Sequence, residues 1–369
     1  MKYYIIAGEA SGDLHGSNLI SAICRKDDAA DIRCWGGDKM EQAGATLVKH
    51  YRDLAFMGFV EVVKHLGTIL KNLRSCKQDV LRFRPDVLVL IDYPGFNLRI
   101  ARWAHTQGIK VVYYISPQVW AWKENRVKMM RKCIDHMLVI LPFEKQYYAN
   151  KWQWDVEYVG HPLIEAIQND TKKHNDISLS NKPIVALLPG SRRQEIMTKL
   201  PIMLEASKVF PDYSFVVAAA PGVDAALYES LIGGAKHVRV VRGNTYALLQ
   251  QSSAALVTSG TATLETALLH VPQVVCYKGN PISYHIARRV IRVPFISLVN
   301  LILNKEAVKE LIQNDLNPNQ LIKSLKEILP GGEKRENILA DYEELKAMLQ
   351  EEVPASEKAA SSVIAWARR

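Results

Sequence analysis

Two short turns in the second half of the chain carry residue types that hold a nucleotide diphosphate. In Leu187-Leu188-Pro189-Gly190-Ser191-Arg192-Arg193-Gln194-Glu195, an apolar run ends at Gly190 and Ser191 before a helix start. Backbone N–H groups there are free to face an anion, and Arg192 adds a cation capable of bidentate binding. An ordinary strand-to-helix loop with a solvated arginine fits the same residues. The other turn is Ser259-Gly260-Thr261-Ala262-Thr263-Leu264-Glu265. It opens a helix carrying Glu265 one turn in, on the face of Thr261. Its amides and hydroxyls suit phosphates, and a carboxylate about 6 Å further along suits two ribose hydroxyls. Simple N-capping, with Glu265 at the surface, fits as well. Two such turns in one domain favour a nucleotide. The sequence has neither a G-x-x-x-x-G-K-[ST] loop nor a G-x-G-x-x-G fingerprint, and no His/Asp/Glu group is spaced for a metal. No metal and no cofactor are expected, so Arg192 and helix dipoles would stabilise a departing diphosphate.

The first half offers a proton acceptor. Asp92 directly follows the apolar run Val87–Ile91, where partial burial raises a carboxyl toward a useful base; a turn-forming or capping Asp before Tyr93-Pro94 is the plain alternative. The turn after the first strand holds Glu9, Ser11, Gly12 and Asp13, small enough for close ligand approach, although Asp13 could simply cap a helix. Ser116 leads into Trp120-Ala121-Trp122, two indoles that suit sugar stacking or core filling. His161 closes another strand end in Gly160-His161-Pro162. Glu9, Ser11, Gly12, Ser116, Trp120 and His161 are the substrate-side candidates. Finally, Phe59, Val62, Val63, Leu66, Ile69, Leu70 and Leu73 recur at helical spacing, with Lys64, Lys71 and Arg74 beside them. The stripe is either core or a basic-rimmed apolar patch that meets an anionic bilayer.

These turns need strands to end in them. Short apolar runs with β-branched residues, those of the first half ending in turns that carry Gly or Pro, alternate with helical stretches throughout both halves: Tyr3–Ala7, Val87–Ile91, Val111–Ile115, Met137–Leu141 and Val156–Val159, then Ile184–Leu188, Ser214–Ala219, Val238–Val241, Ala254–Thr258 and Gln273–Tyr277. That pattern predicts an α/β protein of two doubly wound Rossmann-like domains facing each other across a cleft. Residues 1–167 form the acceptor- and membrane-facing domain, 168–182 a polar linker and 183–330 the nucleotide-sugar domain. Residues 331–369 form helices expected to pack back on the N-terminal domain.

Length and composition agree. The chain has 369 residues with 48% hydrophobic and 23% charged, an ordinary globular balance at two-domain length. Its apolar runs are strand-sized, far below the ~20 residues of a bilayer span, and Tyr3–Ala7 is too short for a secretory core. A soluble, cytoplasmic protein is the expectation. Lys and Arg total 47 against 38 acidic residues, a net charge of +9 that favours anionic partners. The positive charges are scattered, which argues against nucleic acid. The 5 cysteines lie far apart, as reduced thiols do.

Taken in order, these segments resemble lipid-A-disaccharide synthase. The likeness is carried by Ala7-Gly8-Glu9-Ala10-Ser11-Gly12-Asp13, Met57-Gly58 with Glu61-Val62, Asp92-Tyr93-Pro94-Gly95-Phe96-Asn97 and Tyr114–Trp122. It continues through Leu141-Pro142-Phe143-Glu144-Lys145, Gly160-His161-Pro162, the two phosphate-facing turns and Ser297-Leu298-Val299-Asn300-Leu301. The resemblance implies a glycosyltransferase-B architecture. It implies transfer of 2,3-diacylglucosamine from its UDP derivative to 2,3-diacylglucosamine 1-phosphate, giving a β-1,6-linked disaccharide 1-phosphate and UDP. By the same resemblance Asp92 is the general base, Arg192, the Gly260-Thr261 turn and Glu265 hold UDP, and Asn300 borders that site. Tyr93-Pro94-Gly95 stands where some family members carry a second acidic residue, so Asp92 would act alone. Such substrates place the protein peripherally on the cytoplasmic leaflet of the inner membrane, and a homodimer is compatible with that. Other UDP-sugar enzymes of this architecture, such as a UDP-N-acetylglucosamine 2-epimerase or the peptidoglycan N-acetylglucosaminyl transferase, remain rivals, as does a non-catalytic nucleotide-sugar binder.

Overall fold

The computed structural model describes residues 1–53, 66–171, 179–280, 284 and 293–369. The chain divides into two compact units, Met1–Ala166 with Gln350–Arg369, and Ile167–Leu349.

In the first unit the apolar runs become β1 (Lys2–Ala7), β2 (Asp31–Gly36), β3 (Thr46–His50), β4 (Val87–Ile91), β5 (Val111–Tyr114), β6 (His136–Val139) and β7 (Glu157–Tyr158). They form one parallel sheet in the order β3-β2-β1-β4-β5-β6-β7. Ile5 of β1 stands beside Cys34 on one side and Val89 on the other. Because side chains alternate along a strand, Tyr4 and Ile6 fill one core layer while Tyr3, Ile5 and Ala7 fill the other. Continuous apolar strands are what a sheet covered by helices on both faces requires.

The second unit repeats the plan with β8 (Ile184–Leu188), β9 (Ser214–Ala219), β10 (Val238–Arg242), β11 (Ser252–Thr258), β12 (Gln273–Tyr277) and β13 (Lys309–Ile312). Their order is β10-β9-β8-β11-β12-β13, again all parallel, with Leu187 of β8 registered between Val217 and Leu256. In both units the strand order reverses next to the first strand. The switch point therefore lies between β1 and β4 in one sheet and between β8 and β11 in the other, and ligands bind such sheets beyond the carboxyl ends of these strands.

The C-terminal segment divides between the units. The helix Ala355–Arg368 buries Ala359, Ala360 and Val363 in the layer built from Leu19 and Ile23 of the first unit. The helix Arg335–Leu349 does not join it, which corrects the expectation that residues 331–369 return together. Its buried Tyr342 accepts a hydrogen bond from Gln273 Nε2 at the start of β12, 3.1 Å away. The chain also crosses between units within the helix Pro162–Thr171, so the residues expected as linker begin helical; 172–178 lie outside the described residues.

Candidate functional site

In the second unit, a pocket of about 300 Å³ opens at the switch point. Both phosphate-facing turns line it, through Gly190 and Ser191 after β8 and Ser259, Gly260, Thr261 and Glu265 after β11. Gly260 sits at φ 152°, a conformation closed to side-chain-bearing residues, and it starts the helix Thr261–Leu268 with no side chain capping that end. Thr258 Oγ1 is buried on the pocket wall without a hydrogen-bond partner among the described residues. Glu265 reaches the pocket from one turn inside the helix. Burial raises its carboxyl above the ordinary range, against the hydrogen bond that Tyr246 donates to Oε1 at 2.9 Å. Tyr246, a residue the sequence reading missed, thereby fixes Glu265.

The turn after β8 differs in detail from expectation. Ser191 N is not free for an anion, because it donates to Glu195 Oε2 at 3.1 Å. A Cβ at Gly190, already at φ 125°, would stand 2.4 Å from that same oxygen. Arg192 is the N-cap of the helix and Glu195 its third residue, so this carboxylate reaches back to the amide just before the helix. Arg192 itself is exposed at the helix start and does not line the pocket. Asn300 requires a correction. It is fully buried, donating to Val308 O and Glu310 Oε1 (both 2.9 Å) and accepting from Val308 N at 2.9 Å. Three of the four hydrogen bonds its side chain can make go to protein. Its contribution is indirect: Glu310 also receives Ser297 N, and Ser259 Oγ donates to the neighbouring Ile296 O at 2.9 Å.

In the first unit, Asp92 lies at the end of β4 beside the turn after β1. Asp92 and Tyr93 are at φ 42° and 48°, consecutive left-handed residues that cost strain. Asn97 Nδ2 donates to the Asp92 carbonyl at 2.8 Å and Tyr113 Oη at 2.6 Å, holding this backbone. Gly8 is small because the Tyr93 ring lies on it; a Cβ there would stand 2.2 Å from the ring. Glu9 is the next residue of that turn. Burial first, then the Glu9 charge, pushes the Asp92 carboxyl up to about 6, which suits a base near neutral pH. A second buried acid is Glu144, held up to about 7 mainly by burial, with the Asp92 charge adding to it. Its Oε1 accepts from Trp120 Nε1 at 3.1 Å and its Oε2 from Leu141 N at 3.0 Å.

The other first-unit candidates separate. Ser11 is exposed, and Gly12 lets its helix close on Ala7. Asp13 caps no helix of its own; its carboxylate receives Gly37 N and Met40 N from a helix start more than twenty residues on. Ser116 is buried, sharing a 2.7 Å hydrogen bond with Tyr148 Oη. His161 is buried too, its Nδ1 accepting from Leu163 N at 3.2 Å, and desolvation lowers it to about 3. Both side chains are thus engaged within the fold. Of the apolar stripe, Phe59, Val62, Val63 and the Leu66 side chain lie outside the described residues. On the helix Leu66–Phe83, Leu70 is 53% exposed and Ile69 packs partly on the core. Leu73 is only 8% exposed within the core, which removes it from the surface. No helix among the described residues is long and apolar enough to cross a membrane, and among them no three His, Cys, Asp or Glu side chains gather as a metal site.

The chain is similar to a kitacinnamycin glycosyltransferase (TM-score 0.69, 15% identity, 99% of this chain and 98% of that one). It is also similar to a UDP-GlcNAc 2-epimerase from Neisseria meningitidis (TM-score 0.65, 13% identity, 99% and 98%). At such identities the likeness shows the fold, two Rossmann-like units of the glycosyltransferase-B class. The lipid-A-disaccharide synthases of Syntrophus aciditrophicus and Trichlorobacter lovleyi are 39% and 37% identical to it, covering 94% and 90% of this chain and 92% and 89% of their own. The model of the lipid-A-disaccharide synthetase family matches residues 3–364, and the chain belongs to that family.

Proposed function

We propose that this member of the family transfers 2,3-diacylglucosamine from UDP to the 6-hydroxyl of 2,3-diacylglucosamine 1-phosphate, with inversion at the transferred carbon. Asp92 takes the hydroxyl proton while the oxygen attacks the donor C1. The bond from C1 to the diphosphate breaks, and UDP leaves with the electron pair. The second-unit pocket holds UDP: the uncapped start of the helix Thr261–Leu268 faces the diphosphate and Glu265 faces the ribose. Arg192, exposed outside the pocket lining, is the cation that swings onto the diphosphate once UDP is bound. Gly190, Ser191, Ser259 and Thr261 complete that wall. The observation that carries the reading is Asp92, a carboxyl raised to about 6 at a switch point, beside a second turn that bears Glu9. An acid this close to neutrality abstracts a hydroxyl proton better than an ordinary aspartate.

The acylated substrates place the enzyme at a bilayer surface. Exposed Leu70, flanked by exposed Lys71 and Arg74, supports peripheral binding to an anionic leaflet. The deciding experiment supplies purified protein with UDP-diacylglucosamine and diacylglucosamine 1-phosphate. A disaccharide monophosphate found by mass spectrometry, with one UDP per product, is expected; UDP release independent of the acceptor sinks the reading.

A further inference from the structure

Trp122 is 45% exposed, and two cations converge on it. Lys123 Nζ stands 4.1 Å from the ring centroid and the Arg126 guanidinium carbon 6.0 Å. Lys123 adopts a left-handed backbone (φ 55°), which turns the chain from the tryptophans into the single turn Glu124–Arg126 and keeps both cations at the Trp122 ring. The acid between them does not neutralise them: Glu124 is paired with the Lys151 ammonium and accepts from Tyr147 Oη at 2.7 Å. Among the described residues, neither the Lys123 nor the Arg126 side chain has an ion pair or a hydrogen bond. Desolvation, then the Arg126 charge, lowers the Lys123 ammonium. Two adjacent like charges without a counterion form a seat for a dianion, with the guanidinium supplying a fork and the ammonium a point charge.

The pair is linked to the base through Tyr113. Burial holds the Tyr113 hydroxyl well above its ordinary value, the Arg126 charge opposes that rise, and the hydroxyl donates to the Asp92 carbonyl at 2.6 Å. Trp120, two residues before Trp122, is anchored to Glu144. Resting on the function proposed above, we propose that Lys123 and Arg126, set against Trp122, bind the phosphomonoester of the acceptor sugar. The donor bears no phosphomonoester, so this subsite tells acceptor from donor and presents the hydroxyl on the same hexose ring to Asp92.

The test uses the full-length Lys123→Gln/Arg126→Gln protein, with thermal unfolding to verify its fold and Lys123→Arg as the conservative variant. Rates are measured with 2,3-diacylglucosamine 1-phosphate and with the same sugar lacking phosphate, both in neutral detergent micelles. The double variant should raise KM for the phosphorylated acceptor at least tenfold and abolish the preference for it. UDP affinity should stay unchanged, and Lys123→Arg should retain the preference. Equal loss on both acceptors, or an intact preference, overturns the proposal. So does loss of binding to phosphatidylglycerol vesicles with the preference intact, which would assign the pair to membrane headgroups. If the wild type turned over neither acceptor, the functional reading would fail by itself. Calorimetric binding of glucosamine 1-phosphate against glucosamine would then decide the subsite: binding lost in the double variant supports it, and binding retained overturns it.

Discussion

The Tyr113 hydroxyl donates to the backbone carbonyl of Asp92 at 2.6 Å, across the neighbouring strands β4 and β5. With the Asn97 amide on the same oxygen, it holds two successive left-handed residues that strain alone would release. Tyr113→Phe should therefore lower kcat several-fold by loosening the base, at a stability cost of about 1 kcal/mol. UDP affinity, measured by calorimetry, should not change.

Asp92→Asn removes the base and the buried charge together. Turnover should drop by roughly 10²–10⁴-fold with UDP binding intact. The Asp92 carboxyl titrates near 6 in the folded chain against an ordinary 3.8. The folded state thus binds this proton more tightly, and wild-type stability falls as pH rises from about 4 to 6. Asn has no such loss, so the variant should be about 1–3 kcal/mol more stable at pH 7, read by urea unfolding at pH 4 and 7. Equal stability at both values would refute the burial argument.

Glu9 raises Asp92 by like charge. In Glu9→Gln the acid limb of kcat/KM should move below its wild-type position near 6. An upward move would mean that Glu9 acts on substrate and not on Asp92.

Glu265→Gln and Asn300→Ala should fail differently. Glu265 lines the pocket, and its change should weaken UDP binding tenfold or more with little effect on unfolding. Asn300→Ala strands the Val308 amide and carbonyl in the interior, costing about 1–3 kcal/mol per orphaned group. Its signature is a lower Tm.

Leu70 and Leu73 lie on one helix yet differ in exposure, 53% against 8%. Leu70→Ser should reduce co-sedimentation with anionic vesicles while leaving Tm unchanged. Leu73→Ala should cost about 2–5 kcal/mol and leave vesicle binding of the folded protein intact.

The sequence by itself determined the strands, their alternation with helices and the turns that end them. A strand buried on both faces must be a continuous apolar run, and Gly260 or Gly190 is required wherever the backbone takes a conformation other residues avoid. The positions of Asp92 and of the two turns at Gly190 and Gly260 were legible for that reason: each follows a strand directly, and Glu265 lies one helical turn beyond the second. Only the tertiary structure decided which polar side chains remain available for chemistry. Asn300, Ser116, His161 and Asp13 each look reactive in a turn, yet each meets a partner within the fold. Glu144, quoted in a motif without a role, proves to be a buried acid whose carboxyl the Asp92 charge helps to raise. The reason is physical. Backbone conformation is set by residues a few positions apart, whereas the hydrogen bonds and burial that quiet or activate a side chain come from segments the chain brings together only on folding.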